Sequence, residues 1–158
     1  MHIGRFAALA IGMGLLAGCT TPTSVTTTGK QYPTNPVVTP CDSAACPVKV
    51  TVTFQTEPFS CTITVDPPIY DLSKGPATKT ISWTLTNPNA DWPPWSGLFL
   101  PIQFGSNAAS AFSNPTVSGS TVSVTYVRPT GSHQYAYGVN ARHRVLQKFC
   151  SIDPWLVD

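Results

Sequence analysis

Few side chains in this protein are equipped for chemistry. The 158 residues include five cysteines and three histidines. A metal centre is the first possibility to weigh. Zinc knuckles need Cys-x-x-Cys spacing or histidines close by; Cys41 and Cys46 stand further apart, with no histidine near them in sequence. A blue-copper centre takes two His, one Cys and a weak axial Met on a β-sandwich. His133 and His143 both precede Cys150, no histidine follows it, and the methionines are Met1 and Met13. No metal and no cofactor are expected. Nucleophilic hydrolysis needs a base oriented by a carboxylate, yet no Gly-x-Ser-x-Gly elbow is present. Glycoside hydrolysis needs paired carboxylates across a cleft. Asp42, Glu57, Asp66, Asp71, Asp91, Asp153 and Asp158 mostly adjoin prolines or turns instead. There is no Gly-rich phosphate loop. The expectation is a protein that is not an enzyme, with a hydrolase of unrecognised site as an alternative.

The start of the chain is more specific. Met1 to Arg5 carries a positive charge, and Phe6 to Leu16 is an apolar run too short to span a bilayer as a helix. A basic start, a short apolar middle and small residues after it describe a secretory signal. The run Leu16-Ala17-Gly18-Cys19 then resembles the lipobox of bacterial lipoproteins. The resemblance covers residues 1–19. It implies a diacylglycerol on the Cys19 thiol, removal of residues 1–18, and acylation of the new amino terminus. Each buried CH₂ of such chains contributes about 0.8 kcal/mol, so three acyl chains anchor effectively permanently. An ordinary secretory signal with Cys19 near the cut is the alternative. A buried helix is disfavoured because Gly12, Gly14 and Gly18 would each cost about 1 kcal/mol relative to Ala. In enterobacterial lipoproteins an Asp after the Cys causes retention at the inner membrane. Thr20 stands there, which implies the outer membrane, with the domain facing the periplasm.

With Cys19 given to lipid, Cys41, Cys46, Cys61 and Cys150 remain. An even number in an oxidising compartment reads as disulfides. The favoured pairing is Cys41–Cys46 as a local clasp and Cys61–Cys150 as a long bridge. On a loop-entropy model the long bridge contributes about 4–5 kcal/mol and the clasp about 2 kcal/mol.

Charged residues make up 10% of the chain, against roughly a quarter in typical soluble domains. A nucleic-acid binder would carry a dense basic stripe, which this near-neutral sequence lacks, so no nucleic-acid partner is expected. Residues 19–40 hold the lipidated Cys and a Thr/Pro-rich segment that cannot bury enough surface to fold alone. They read as a tether. Pairing of Val37-Val38 as an extra edge strand is the alternative.

From residue 41 to 158 the pattern is that of a single domain. Val48, Val50, Val52 and Phe54 alternate with polar residues, as do Phe59, Cys61, Ile63 and Val65. Ile81, Trp83 and Leu85 repeat the pattern; so do Val122, Val124 and Tyr126, then Tyr135, Tyr137 and Val139. Further strands are expected over 98–104, 145–150 and 155–157. An all-β, antiparallel β-sandwich of about seven or eight strands follows, with an immunoglobulin-like Greek key as the leading topology. That match is partial, because Lys148 stands where a tyrosine-corner Tyr would precede Cys150.

Two segments are candidate interaction surfaces. Trp92 and Trp95 lie in a proline-stiffened loop, where aromatic anchors can bind sugars, peptides or proteins at low entropic cost; the alternative is that the indoles plug the core. Arg142, His143 and Arg144, with Lys148 and Arg128, form a local basic cluster suited to acidic glycans or an acidic partner; its alternative is a solvated hairpin tip. The leading expectation is an outer-membrane-anchored binding, assembly or inhibitor module of the cell envelope. A glycan-binding module using the Trp92/Trp95 loop comes next. The expected partners are the membrane, through the lipid, and an envelope protein or glycan.

Overall fold

The computed structural model describes residues 34–94, 100–108 and 110–158. Cys19 and Trp95 lie outside them. The chain is all-β, and its strands in order are β1 (Thr39–Pro40), β2 (Ala45–Thr56), β3 (Phe59–Asp66), β4 (Ile69–Asp71), β5 (Thr78–Leu85), β6 (Ala90–Asp91), β7 (Ile102–Phe104), β8 (Thr116–Ser118), β9 (Thr121–Val127), β10 (Gln134–His143), β11 (Phe149–Ile152) and β12 (Trp155–Val157). One 3-10 turn, Ser106–Ala108, follows β7.

Two sheets form. The first runs β3-β2-β5-β9-β8; the second runs β1-β4-β12-β10-β11, with β6 and β7 also on β10. Period-two patterning accounts for the first sheet. In β2, Val48, Val50 and Val52 point inward and are buried. In β5, Ile81, Trp83 and Leu85 do the same. From the second sheet, Tyr135, Tyr137, Val139 and Ala141 of β10 join the same core. Trp83 is fully buried, and its indole N–H donates to the Tyr137 hydroxyl at 3.2 Å across the sheets. The Tyr70 hydroxyl of β4 likewise donates to the Pro47 carbonyl of β2 at 2.6 Å.

The pairing is mixed, which departs from the antiparallel immunoglobulin-like key expected. β2 pairs β5 in parallel from Ala45↔Thr80 to Val50↔Leu85, and β4 is parallel to both β1 and β12. The physical reason lies in the connections. A hairpin turn forces antiparallel pairing, as between β2 and β3. After β3 the chain instead visits the second sheet at β4 and re-enters the first at β5, in the same direction as β2. Side-chain alternation records which face a strand buries, and is silent on its direction.

Several boundaries also move. β1 begins at Thr39, within the segment expected to be tether, and Cys41 N–H donates to Asp71 O at 2.9 Å. The strand expected over 145–150 starts only at Phe149, because residues 144–148 form the turn after β10. The expected strand from Val145 had placed two exposed apolar residues in a ladder. β11 and β12 share one register against β10, from Arg142↔Phe149 to Gln134↔Val157. Pro154 interrupts this line without shifting it, and its carbonyl still accepts from Tyr137 N–H at 3.1 Å.

Both disulfides take the expected connectivity, Cys41–Cys46 and Cys61–Cys150. The second spans 89 residues and joins β3 of one sheet to β11 of the other. Closing a loop of that length restricts the unfolded chain by about 4–5 kcal/mol. Replacing both cysteines, Cys61→Ala with Cys150→Ala, should therefore lower unfolding free energy by up to that amount in urea titration. An unchanged midpoint and slope would contradict a structural role for the bridge.

Candidate interaction surface

The turn between β10 and β11 is built from its own residues inward. Arg142 closes its base. The guanidinium donates to both Asp91 oxygens at 2.9 and 2.8 Å, and to the Gln147 side-chain oxygen at 2.6 Å. Asp91 sits on β6, which pairs β10 at Arg142 and His143. His143 shapes the apex: its Nδ1 accepts from the backbone N–H of Val145 at 3.2 Å and of Leu146 at 3.1 Å. The ring packs edge-on against Phe54 with centroids 4.6 Å apart. Gln147 completes the turn with φ +56°, and its N–H donates to the His143 carbonyl at 2.9 Å.

This geometry divides the basic cluster. Arg142 and His143 are structural members of the turn, with Arg142 neutralised by Asp91. Arg128 lies elsewhere and donates to the carbonyls of Leu72, Lys74, Gly75 and Pro76. Arg144 and Lys148 remain exposed on the tip. The Lys148 ammonium lies 5.1 Å from the centre of the Phe59 ring, a cation–π contact that holds its stem down. Val145 is 78% exposed and Leu146 42% exposed between them.

Trp92 is not displayed. Only 6% of it is exposed, within the hydrophobic core, so the exposed-anchor expectation for this residue is corrected. A flat, largely apolar indole gains more from burial than its single N–H loses, although that N–H finds no acceptor among the described residues.

Three polar or apolar clusters escaped the sequence. Asp158 has a fully buried carboxylate. It accepts from the Tyr126 hydroxyl, the Tyr135 hydroxyl at 3.3 Å, His133 N–H at 2.5 Å and His133 Nδ1 at 3.2 Å. No serine hydroxyl bonds either imidazole among the described residues. Lys79 is buried at 1% exposure and donates to the carbonyls of Cys41, at 3.0 Å, and Lys74. Burial, then the nearby Arg128 charge, lowers its pKa. Its inward position follows the same alternation as Ile81 and Trp83, but a lysine in that register reads as an exposed residue. Finally, an open apolar groove of about 310 Å³ runs between Ile63, Val65, Ile69, Pro154 and Trp155. Nothing in residue spacing announces these clusters, since each joins segments distant in sequence. Among the described residues, no group of three His, Cys, Asp or Glu side chains is placed to hold a metal ion.

No protein-family model matches the chain, and no curated protein is significantly similar to it. Among solved structures, it overlaps with an inclusion body protein, PixA, from Burkholderia cenocepacia J2315. The identity is 13%, over 73% of this chain and 94% of that one, with a TM-score of 0.32. Overlap at that level bears on neither function nor topology.

The tyrosines give a direct test of the buried polar network. Burial raises the pKa of Tyr70, Tyr126, Tyr135 and Tyr137, and Asp158 adds to the rise at Tyr126 and Tyr135; Tyr135 is pushed up to about 12. A raised folded-state value means that the stability these phenols contribute is complete below about pH 10, the ordinary tyrosine value. It is lost as pH rises from there through about 12. Phenolate absorbance should accordingly lag behind free tyrosine and then climb together with loss of the near-ultraviolet circular dichroism. Smooth ionisation near pH 10 in a still-folded protein would contradict the network.

Proposed function

We propose that this protein is a bacterial lipoprotein, anchored in the outer membrane through Cys19 and carrying a β-sandwich domain on the periplasmic side. Its role is non-enzymatic: a binding, assembly or inhibitor module of the cell envelope. The observation that carries the reading is the cysteine arithmetic. Two disulfides use four of the five cysteines, and the fifth is the Cys of Leu16-Ala17-Gly18-Cys19. Disulfides form and persist in oxidising compartments such as the periplasm. Export and acylation at Cys19 together leave no cysteine unassigned.

The length of the intervening segment supports the same arrangement. Among the described residues, strand pairing starts at Thr39. The Pro-rich stretch before it, if extended at about 3.1 Å per residue, lets the domain work tens of ångströms from its anchor. Low charge and β-branched richness suit a rigid module that presents surface.

The test is acylation in the bacterial cell. Wild-type protein should incorporate radiolabelled palmitate, and Cys19→Ser should lose the label and accumulate uncut. Label persisting in Cys19→Ser would overturn the assignment.

A further inference from the structure

We infer that the β10–β11 hairpin tip, residues 144–148, is a docking surface for an anionic lipid bilayer. The inference rests on the proposed lipid anchor and adds a second, protein-borne contact to the membrane.

Turn apices ordinarily carry Gly, Asn, Asp or Ser, which tolerate the backbone and satisfy it. This apex instead carries Val145 and Leu146, both exposed, with Arg144 before them and Lys148 after. Apolar residues at the point and cations on the shoulders match a headgroup boundary, where acyl chains receive the first and anionic phosphates the second. The turn is also stiff. The His143 ring supports the Val145 and Leu146 amides, Gln147 closes back on His143, and Arg142 is locked to Asp91 and Gln147. Little conformational freedom is left to lose on contact, which favours binding. The acid of the adjoining β2–β3 turn is Glu57, so the cations are partly balanced and the apolar apex must share the work.

β10 runs toward the tip. β12, β4 and β1 are ranked beside its first residues, Gln134–Ala136, with Thr39 level with Tyr70, Leu156 and Tyr135. The Lys74 loop, after β4, lies at this same end, away from the tip, where Lys79 joins the Cys41 and Lys74 carbonyls.

Trypsin reads this geometry directly, because Arg144 is itself a cleavage site. The acylated full-length protein would be reconstituted into vesicles of phosphatidylethanolamine with phosphatidylglycerol, and in parallel with phosphatidylcholine. Cleavage at exposed Lys74 calibrates the protease in each. On anionic vesicles, cleavage after Arg144 should slow by about tenfold relative to Lys74, as expected for a few apolar and cationic contacts at the headgroup boundary. High salt should weaken that protection by screening the cations. Val145→Ser with Leu146→Ser should abolish it while leaving Lys74 cleavage unchanged, and Lys148→Gln should reduce it. Equal cleavage on both vesicles would overturn the inference, as would protection that survives Val145→Ser with Leu146→Ser. Protection that needs added periplasmic protein would overturn it in favour of a protein partner. Failure of the protein to float with either vesicle would overturn both the lipid anchor and this contact.

Discussion

The Cys61–Cys150 bond holds the two sheets together where the ladder cannot. β11 is a four-residue strand whose backbone pairing, among the described residues, is with β10 alone. Its other flank faces β3, an edge strand of the opposite sheet, and between sheets there are no backbone hydrogen bonds to share. The covalent link supplies that connection one residue into β11. Everything at the exposed end follows from it. With β11 fixed to β3, the β10–β11 turn lies over the β2–β3 hairpin, so that Phe54 meets His143 and Phe59 meets Lys148. A tip that hung on β10 alone would be one hairpin projecting into water.

The charged groups drawn into the interior find polar partners there, whereas among the described residues the Trp92 indole N–H does not. Lys79 and Arg128 enter from β5 and from just after β9 and share the Lys74 carbonyl of the β4–β5 loop, where Arg128 also reaches Gly75 and Pro76. Gly75 fits there at φ +64°, and a Cβ on it would lie 2.1 Å from the Asp42 carbonyl oxygen. At the same end of the molecule, Asp158 gathers the Tyr126 and Tyr135 hydroxyls and the His133 amide. A buried carboxylate or ammonium with one partner removed is strongly destabilising, so these networks specify how the segments close. They lie away from the tip.

Much of this was legible in the sequence. Alternation in 48–54, 59–65, 81–85 and 122–126 identified four strands of the first sheet, because side-chain period two is set by the chain alone; β8, three exposed residues with no buried face, gave no such signal. Cysteine parity and compartment anticipated both bridges. Direction and neighbour choice were not legible, since parallel β2 and β5 depend on a detour through the other sheet that no local pattern encodes. Whether Trp92 was displayed or plugged the core stayed open in the sequence, because Pro93 and Pro94 mark a loop but do not say which way its indole turns. Arg142, His143, Arg144 and Lys148 do fall at one turn, whereas Arg128 does not, and the parts these residues play there were not separable in the sequence. Only the structure distinguishes Arg142, held by Asp91 fifty-one residues away, from Arg144 and Lys148 on the surface. Val145 and Leu146 were hidden by an apolar run that reads as strand when no turn residue interrupts it.

One acylated and four bridged cysteines give an envelope protein a definite mass. Intact-mass spectrometry of the protein extracted from bacterial membranes tests it in one spectrum. The expected species is a chain beginning at Cys19, heavier by a diacylglyceryl group and an amide-linked acyl chain, and gaining the mass of four hydrogens on reduction of its two disulfides. A chain that retains residues 1–18, or one carrying five free thiols and no lipid, would contradict it.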